Sequence, residues 1–287
     1  MEATFASCSV FRERISPLLE LLDSVRFLIS EKEGFVIQEM EDSFVSMVRF
    51  HMLPKACSHF KVDNPNEVLE LGINLKVFCT ILMCGTGNEE LFLKYDPKEP
   101  DDIQIRIFSS KRNAEFKLKL MTNTKERLQI PDNTCRAHMR VNSKRLEVYI
   151  KQMKTFSDEL YIMVSRKGLR LSLEEGDTKA TIYMKPAKLI LDGKETLFSE
   201  DMQDADTLTF LSINQLQTDE SDFEIEKMEY QDKFSLKYIL KFMKSNTHCD
   251  TVDLYFFQDL PMLVRFVFQN EKGEKEGVLD FYLAHKV

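Results

Sequence analysis

Hydrophobic and polar residues alternate along most of the chain, which is the pattern of strands that bury one face. Short polar segments separate the alternating runs, and several of them contain glycine. On this basis the sequence predicts strands at residues 25–30, 35–40, 43–52, 68–71, 91–95, 103–109 and 115–121, and again at 137–141, 160–165, 169–173, 181–185, 207–212, 252–257, 262–269 and 277–283.

Four segments instead have apolar residues three or four positions apart, which predicts amphipathic helices. They are residues 9–23, a segment capped by Asn74, a segment capped by Asn142 or Ser143, and residues 233–245. The first segment contains Pro17. Either that helix begins with Ser16 as its N-cap, or it kinks at the proline.

The same order of elements occurs twice: a helix, a strand, a turn that ends in glycine, and a second strand. This repetition indicates an internal duplication, and 287 residues are enough for two domains with a core each. We therefore predict an N-terminal domain at 1–119, a connecting segment at 120–135 and a C-terminal domain at 136–287. The C-terminal domain carries a charged insertion around 186–226.

The connecting segment is polar over residues 122–126 and then presents Leu128 and Ile130 before Pro131. Proline restricts its own backbone and biases the preceding residue towards an extended conformation, so the segment is predicted to be extended. Such a stretch is either a plain linker or a surface that offers two apolar side chains to a partner.

Composition is that of an ordinary globular protein, with 43% hydrophobic and 30% charged residues. The formal net charge of -8 argues against a surface that binds nucleic acid all over, but it is compatible with a local basic face. The six cysteines form no CxxC pair, which indicates reduced thiols in an intracellular compartment. Residues 1–11 lack the pattern of a signal peptide, and no apolar run reaches the ~18 residues of a membrane span.

Lysines form the clearest surface pattern. The fourth predicted helix has one every three or four residues, at Lys233, Lys237, Lys241 and Lys244. The third helix has a sparser set at Lys144, Lys151 and Lys154. A basic helical face can contact phosphates without reading bases, although a lysine stripe is also the ordinary solvated face of a helix.

No catalytic constellation accompanies these features. The five histidines are scattered, and none has another histidine or a cysteine at metal-ligand spacing. The segment 84–87 has two glycines like a phosphate-binding loop, but the Lys-Ser/Thr pair is missing and a strand follows. Neither GxSxG nor HExxH occurs. We therefore predict that the protein is not an enzyme and that it uses no metal and no cofactor.

Six segments together resemble the proliferating cell nuclear antigen (PCNA) family, the eukaryotic DNA sliding clamps. They follow the family's order with nearly the family's spacing: GFVIQEMEDSFVSMV at 34–48, LGINLKVFCTIL at 71–82, GNEE at 87–90, FKLKLM at 116–121, LQIP at 128–131 and FYLAHK at 281–286. The resemblance implies an α+β sliding-clamp fold. Its two similar domains each place two helices on antiparallel sheets.

The resemblance also implies a closed ring of three copies around duplex DNA, with the helices towards the hole. Such a ring is a processivity factor for DNA replication and repair in the nucleus, and it needs no base readout. Its partners would be double-stranded DNA, further copies of itself, DNA polymerase, the clamp loader and other proteins with a PCNA-interacting peptide, but no membrane. The residues that match the DNA-facing surface are Arg12, Lys76, Lys151, Lys237, Lys241 and Lys244.

In this family, partner peptides dock where the connecting segment crosses the core, in an apolar pocket. The matching residues here are Met40, Phe44, Val45, Leu128, Ile130, Pro131, Pro261, Tyr282, Leu283, Ala284 and His285. Copies of the chain would join through edge strands, which hides the unpaired edges. The matching interface residues are Phe116, Leu118, Ile182, Tyr183 and Met184.

Some positions depart from the family pattern. Thr80 and Met83 stand where the family usually has lysines, and Asp42 and Phe44 replace a serine and a histidine. These departures leave two alternatives to a homotrimeric replication clamp. One is a subunit of a heterotrimeric checkpoint-type clamp. The other is a protein-interaction scaffold that no longer encircles DNA.

Overall fold

The structure, a computed structural model, describes residues 1–87, 89–122, 134–191, 193–197, 207–212 and 230–286, with the backbone alone at 207–212, 247 and 248. The chain forms two compact units. One comprises Met1–Ile130 with Val267–Phe281, and the other comprises Pro131–Phe266 with Tyr282–Val287. The units differ from the predicted domains because residues 267–281 pack with the first unit.

The helices are α1 (Cys8–Ile15), α2 (Leu75–Leu82), α3 (Ser143–Lys154) and α4 (Leu236–Met243). Short 3-10 helices lie at Ser16–Glu20, Pro54–Ala56 and Lys244–His248. The strands in the first part of the chain are β1 (Glu2–Phe5), β2 (Ser24–Ser30), β3 (Gly34–Met40), β4 (Ser46–Met52), β5 (His59–Lys61), β6 (Leu69–Asn74), β7 (Glu90–Lys94), β8 (Asp102–Phe108) and β9 (Asn113–Lys119). Those in the second part are β10 (Cys135–Asn142), β11 (Glu159–Ser165), β12 (Gly168–Glu175), β13 (Thr178–Met184), β14 (Lys188–Leu191), β15 (Lys194–Leu197), β16 (Thr207–Ser212), β17 (Tyr230–Ser235), β18 (Thr251–Phe257), β19 (Met262–Gln269) and β20 (Lys275–Leu283).

The first unit packs α1 and α2 side by side over its strands. One sheet has the order β5-β1-β7-β8-β9, and a second set of neighbours runs β20-β4-β3-β2-β6. A cluster of buried phenyl rings joins the helices to the strands, and its members are Phe5, Phe11, Phe27, Phe35 and Phe78. Each such ring stabilises the fold by about 1.5–3 kcal/mol through burial, so this cluster is a main part of the core.

The second unit repeats the arrangement. Its α3 packs beside α4, its sheet has the order β16-β13-β12-β11-β17, and a second set runs β15-β14-β10-β18-β19. The helices bury one apolar face each, which consists of Leu146, Ile150, Met153, Leu236, Ile239, Phe242 and Met243. The opposite faces of both helices are therefore available to carry charge.

Alternation predicted several strands to within one residue at each end, including β2, β3, β8, β11, β16 and β19. Other predicted strands differ by two or three residues at one or both ends, and β1, β5, β14, β15 and β17 were not predicted. The predicted helix caps are confirmed as well. The Oδ1 atoms of Asn74 and Asn142 accept hydrogen bonds from the backbone of Val77 and Arg145, each at 3.0 Å. The strand predicted at 43–52 begins later, because residues 43–45 form a turn.

Two helices differ from the predictions. α1 begins after Ser7, whose Oγ accepts a hydrogen bond from the Val10 amide at 3.3 Å, and it ends at Ile15. The chain then tightens into a 3-10 helix at Ser16–Glu20 with Pro17 near its start. The α-helix therefore does not begin at Ser16, and the observed break at the proline is closer to the second alternative, a kink. α4 begins at Leu236 rather than at 233, because the preceding residues pair with β11 as β17.

Candidate nucleic-acid and partner interfaces

Three of the predicted DNA-facing lysines lie on α4 or directly after it. Lys237 and Lys244 are exposed, and Lys241 is half-buried. The ammonium groups of Lys237 and Lys241 lie 5.9 and 5.7 Å from the centre of the Tyr238 ring, so the ring faces both cations. Lys233, the fourth member of the predicted stripe, belongs to β17, and its Nζ pairs with Glu159 at 3.1 Å.

Acidic neighbours compensate the lysines of α3. The Nζ of Lys151 lies 2.5 Å from Glu147 on the same helix, and Lys154 pairs with Asp158 in the same way. Burial disfavours the charged form of Glu147, but hydrogen bonds from Lys151 and Asn246 outweigh it and lower the pKa of that carboxyl below its ordinary value. Lys151 is thus exposed, but its charge is partly neutralised.

The helices of the first unit present less charge. Lys76 is exposed on α2, beside Val77, Thr80 and the 60% exposed Met83. Arg12 is only partly exposed, because its guanidinium reaches the Gly85 carbonyl oxygen at 3.5 Å and the Glu13 carboxylate at 3.7 Å. Lys76 is therefore the more accessible of the two cations predicted here.

The turn between β3 and β4 displays Phe44, one of the predicted partner-peptide residues. Its side chain is 77% exposed, and its backbone has a φ of 59°, which is unusual for a residue that is not glycine. The Glu41 carboxylate holds the turn by accepting hydrogen bonds from the amides of Ser43 at 3.2 Å and Val45 at 3.0 Å. Met40 and Val45 are half-buried beside it.

The remaining partner-peptide positions have different surroundings. Leu128, Ile130 and Pro131 lie outside the described residues. In the second unit Pro261 is exposed, whereas Tyr282, Ala284 and His285 are half-buried. Leu283 is fully buried, so its side chain belongs to the core, and a partner could contact only its backbone. The nearby Lys286 amide donates a hydrogen bond to the Lys233 carbonyl at 2.7 Å, which fixes this end of the chain.

The two strands predicted to join copies of the chain differ in their edges. β9 is the last strand of its sheet within the described residues, with Phe116 half-buried and Leu118 buried. β13 lies between β12 and β16 and is hydrogen-bonded to both. Ile182 and Met184 are buried inside the unit, and Tyr183 is half-buried. Edge pairing uses the backbone, so the assignment of these residues to the subunit interface stays a prediction. The edge assigned to a second copy is already occupied within the chain.

A polar network in the second unit was not predicted. Asp253 is buried and accepts two hydrogen bonds from Arg140, at 2.8 and 2.9 Å, and interacts with His138 Nε2 at 3.2 Å. The His138 ring stacks parallel on Tyr255 with centroids 4.2 Å apart. Burial opposes ionisation of Asp253, but its two partners outweigh that effect and hold its pKa below the ordinary value. The spacing of these residues in the sequence did not predict the network, because its members are brought together only by the pairing of β10 with β18.

The residues described include no group of three His, Cys, Asp or Glu side chains that could hold a metal ion. Burial raises the pKa of Cys8 to about 11 and that of Cys79 to about 12, so both thiols stay protonated. Gly85 packs against Cys8, where a β-carbon would lie 2.7 Å from its sulfur, and β7 follows this turn rather than a helix. In the described part of the chain, no helix has the length and apolar character needed to cross a membrane.

Comparisons with known proteins agree with this architecture. A family model described as "Proliferating cell nuclear antigen, N-terminal domain" matches residues 1–127. The chain is 24% identical to "Proliferating cell nuclear antigen" of Saccharomyces cerevisiae over 288 aligned positions, which cover 100% of this chain and 98% of the relative. It is 23% identical to the Caenorhabditis elegans protein of the same name, with 97% of that relative covered. It is also 23% identical to "Proliferating cell nuclear antigen 2" of Drosophila melanogaster, with 98% covered.

These matches extend over the whole chain, and the helices on antiparallel sheets described above are those of the sliding-clamp fold. The similarity is low, as the altered positions on α2 and in the β3–β4 turn lead one to expect. The chain is therefore similar over its whole length to proliferating cell nuclear antigen, and its residues 1–127 match the model of that family's N-terminal domain.

Proposed function

We propose that this chain is the subunit of a DNA sliding clamp that encircles duplex DNA and tethers replication and repair proteins to it. The observation that carries the proposal is the lysine face of α4, in a chain whose formal net charge is -8. A local basic surface on an otherwise acidic protein favours contact with phosphates at that surface and repels DNA elsewhere.

The proposed mechanism needs no reaction at the protein. Lysines on a helix contact phosphates at random positions along the duplex, so they add attraction without fixing a sequence. A ring that is closed around DNA stays bound by topology, and weak contacts then let it slide. The protein is thus a processivity factor without enzymatic activity, and its place of action is the nucleus. Its partners are DNA polymerase, the clamp loader and other proteins that carry a PCNA-interacting peptide.

Partner binding rests on the exposed apolar residues of each unit. Phe44 stands on a turn that Glu41 holds in place, and Pro261 is exposed in the second unit. A turn whose backbone is already held in place loses little backbone entropy when a partner covers it. Leu128 and Ile130 complete the set of positions that we assign to the partner peptide.

The unequal strand edges favour a second candidate, a subunit of a heterotrimeric checkpoint-type clamp. β9 ends its sheet among the described residues, whereas β13 is covered by β16. A chain with one open and one covered edge would pair readily with a different partner on one side only. In that case the purified chain would stay monomeric at all concentrations and with β16 removed.

The test of clamp function is retention on DNA. The protein is assembled with a clamp loader on nicked circular duplex, and the amount retained is compared before and after the circle is cut. A sliding clamp is retained on the circle at moderate salt and lost when the DNA becomes linear. Equal retention on both forms would contradict encirclement, and binding to neither form while a partner peptide still binds would support the scaffold alternative.

A further inference from the structure

The strand β16 forms one edge of the sheet β16-β13-β12-β11-β17 in the second unit, next to β13. It pairs antiparallel with β13 over six residue pairs, from Thr178 opposite Ser212 to Tyr183 opposite Thr207. Nine residues (198–206) separate it from β15, and 17 residues (213–229) separate it from β17. The sequence predicted a strand at 207–212 but gave it no partner, and the whole segment 186–226 had no assigned role.

The internal duplication shows which position β16 takes. In the first unit β2, β3 and β4 are consecutive neighbours, with β6 beside β2. In the second unit β11, β12 and β13 are consecutive neighbours, with β17 beside β11. β4 and β13 are therefore equivalent strands, each at the same end of a four-stranded set.

Two glycines support this equivalence at the level of single atoms. Gly34 opens β3 with a φ of +76°, and a β-carbon there would lie 2.3 Å from the carbonyl oxygen of Met52, the last residue of β4. Gly168 opens β12 with a φ of +137°, and its β-carbon would lie 2.5 Å from the carbonyl oxygen of Met184, the last residue of β13. Only glycine fits either position, because both the backbone angle and the close carbonyl exclude a side chain.

The outer side of β4 is covered by β20, the last strand of the chain's second half. By the same symmetry the outer side of β13 would be covered by the last strand of a first half, which is β9. The β9 of the same chain ends a different sheet, so the strand would come from a second copy. In this structure β16 holds that place instead.

We propose that β16 is an intramolecular cap, which occupies the β13 edge and must be displaced before β9 of a second copy can pair there. This proposal rests on the proposed clamp function, and it adds a control step to ring assembly. The cap competes efficiently because it belongs to the same chain as β13: linking two binding segments can give an effective concentration of the order of millimolar, far above the usual concentration of a second copy. It also protects an edge that would otherwise be prone to unspecific pairing.

The proposal predicts that the chain assembles when β16 is disabled. In an uncapped variant, Thr207–Ser212 is replaced by six glycine, serine and proline residues, which disfavour a strand without changing the chain length. In the matched control, the adjacent residues 213–218 receive the same replacement and β16 is kept. Light scattering is measured on all three proteins over a concentration series, with thermal unfolding to verify that each variant is folded.

We expect the native chain and the control to show the mass of one chain, 33.6 kDa, at concentrations where the uncapped variant shows three times that mass. The protein concentration at half-maximal assembly should be lower for the uncapped variant than for the native chain by about 100-fold or more, since linking two binding segments raises their apparent affinity by at least about 100-fold. The same mass curve for native and uncapped protein would overturn the proposal. An identical shift in the control would overturn it as well, since β16 would then not be the cause.

Hydrogen exchange identifies the strand that replaces the cap. On assembly of the uncapped variant, the backbone amides of β9 should exchange more slowly than in its dilute, monomeric form. Assembly that leaves β9 exchange unchanged would contradict the proposed pairing. Retention on circular DNA tests the clamp function separately. If native and uncapped proteins assemble alike and both are retained, the cap proposal is refuted and the clamp function stands. If the uncapped protein forms rings that circular DNA does not retain, the clamp function is refuted and the cap proposal stands.

Discussion

Replacing Lys237 and Lys244 by alanine should reduce the salt dependence of DNA binding. Both side chains are exposed on or directly after α4, so their loss leaves the apolar core of the helix intact. Each phosphate contact contributes about 0.9 to the slope of log K against log salt, so two lysines account for about 1.8 per copy. In a ring of three copies the ceiling is about 5, reached only if all six lysines contact phosphate at once. We therefore expect the slope to fall by about 2 to 5.

The assay is fluorescence anisotropy with a labelled duplex over a series of salt concentrations, on protein that is assembled as a ring. The control variant carries Lys111→Ala and Lys272→Ala, which remove two exposed lysines from turns of the first unit and change the net charge equally. Its slope should stay close to that of the native protein. If both double variants lower the slope by the same amount, net charge explains the effect, and the assignment of α4 to the DNA-facing surface is refuted.

Three further predictions concern the partner site, acid stability and the first unit. Leu128→Ala with Ile130→Ala should leave the assembled mass unchanged but abolish binding of a family-type partner peptide in calorimetry; unchanged affinity would refute that pocket. The pKa of Asp253 is lower in the folded protein than the ordinary carboxyl pKa of about 4. Ionised Asp253 therefore stabilises the fold fully at pH values above about 4, and this stabilisation is lost as the pH falls through the lower pKa of the folded protein. Asp253→Asn should therefore unfold more easily at neutral pH and show a weaker loss of stability on acidification, measured by urea unfolding. Thr80→Lys with Met83→Lys should steepen the salt dependence of DNA binding by about 1.8 per copy, whereas glutamine at both positions should not.

Local patterns predicted much of the fold because local physics determines it. The alternating residues of β3 and β8 gave their bounds to within a residue, and the side chains of Asn74 and Asn142 cap the helices that follow them. The start of α4 was misjudged, because Lys233 continues the helical spacing of the lysines although its backbone belongs to a sheet. A side-chain period therefore identifies a face more reliably than it identifies the end of an element.

Long-range pairing is where the sequence was uninformative. Residues 207–212 have the composition of a strand, but a period of two does not state which edge the strand joins. Its neighbour β13 lies more than twenty positions earlier, and the decision between an internal cap and a second copy depends on tether length and concentration. The burial of Leu283 was missed for a similar reason, since matching a family position says nothing about how deep this chain places it.

The two helices of the second unit show why the arrangement of charge, rather than its amount, decides where DNA is contacted. In sequence, α3 and α4 both carry lysines at helical spacing. In the structure, Glu147 compensates Lys151 within α3, and Asp250 lies 3.8 Å from Lys144 through a contact that spacing does not reveal. A carboxylate beside a lysine offsets part of its charge, so such a lysine adds less to the positive potential that attracts phosphates. On α4 the ammonium groups of Lys237 and Lys241 lie 5.9 and 5.7 Å from the centre of the Tyr238 ring, which attracts cations but carries no formal charge. Because counterion release counts charges that are newly neutralised by phosphate, we expect each compensated lysine of α3 to contribute less than one full contact to the salt slope.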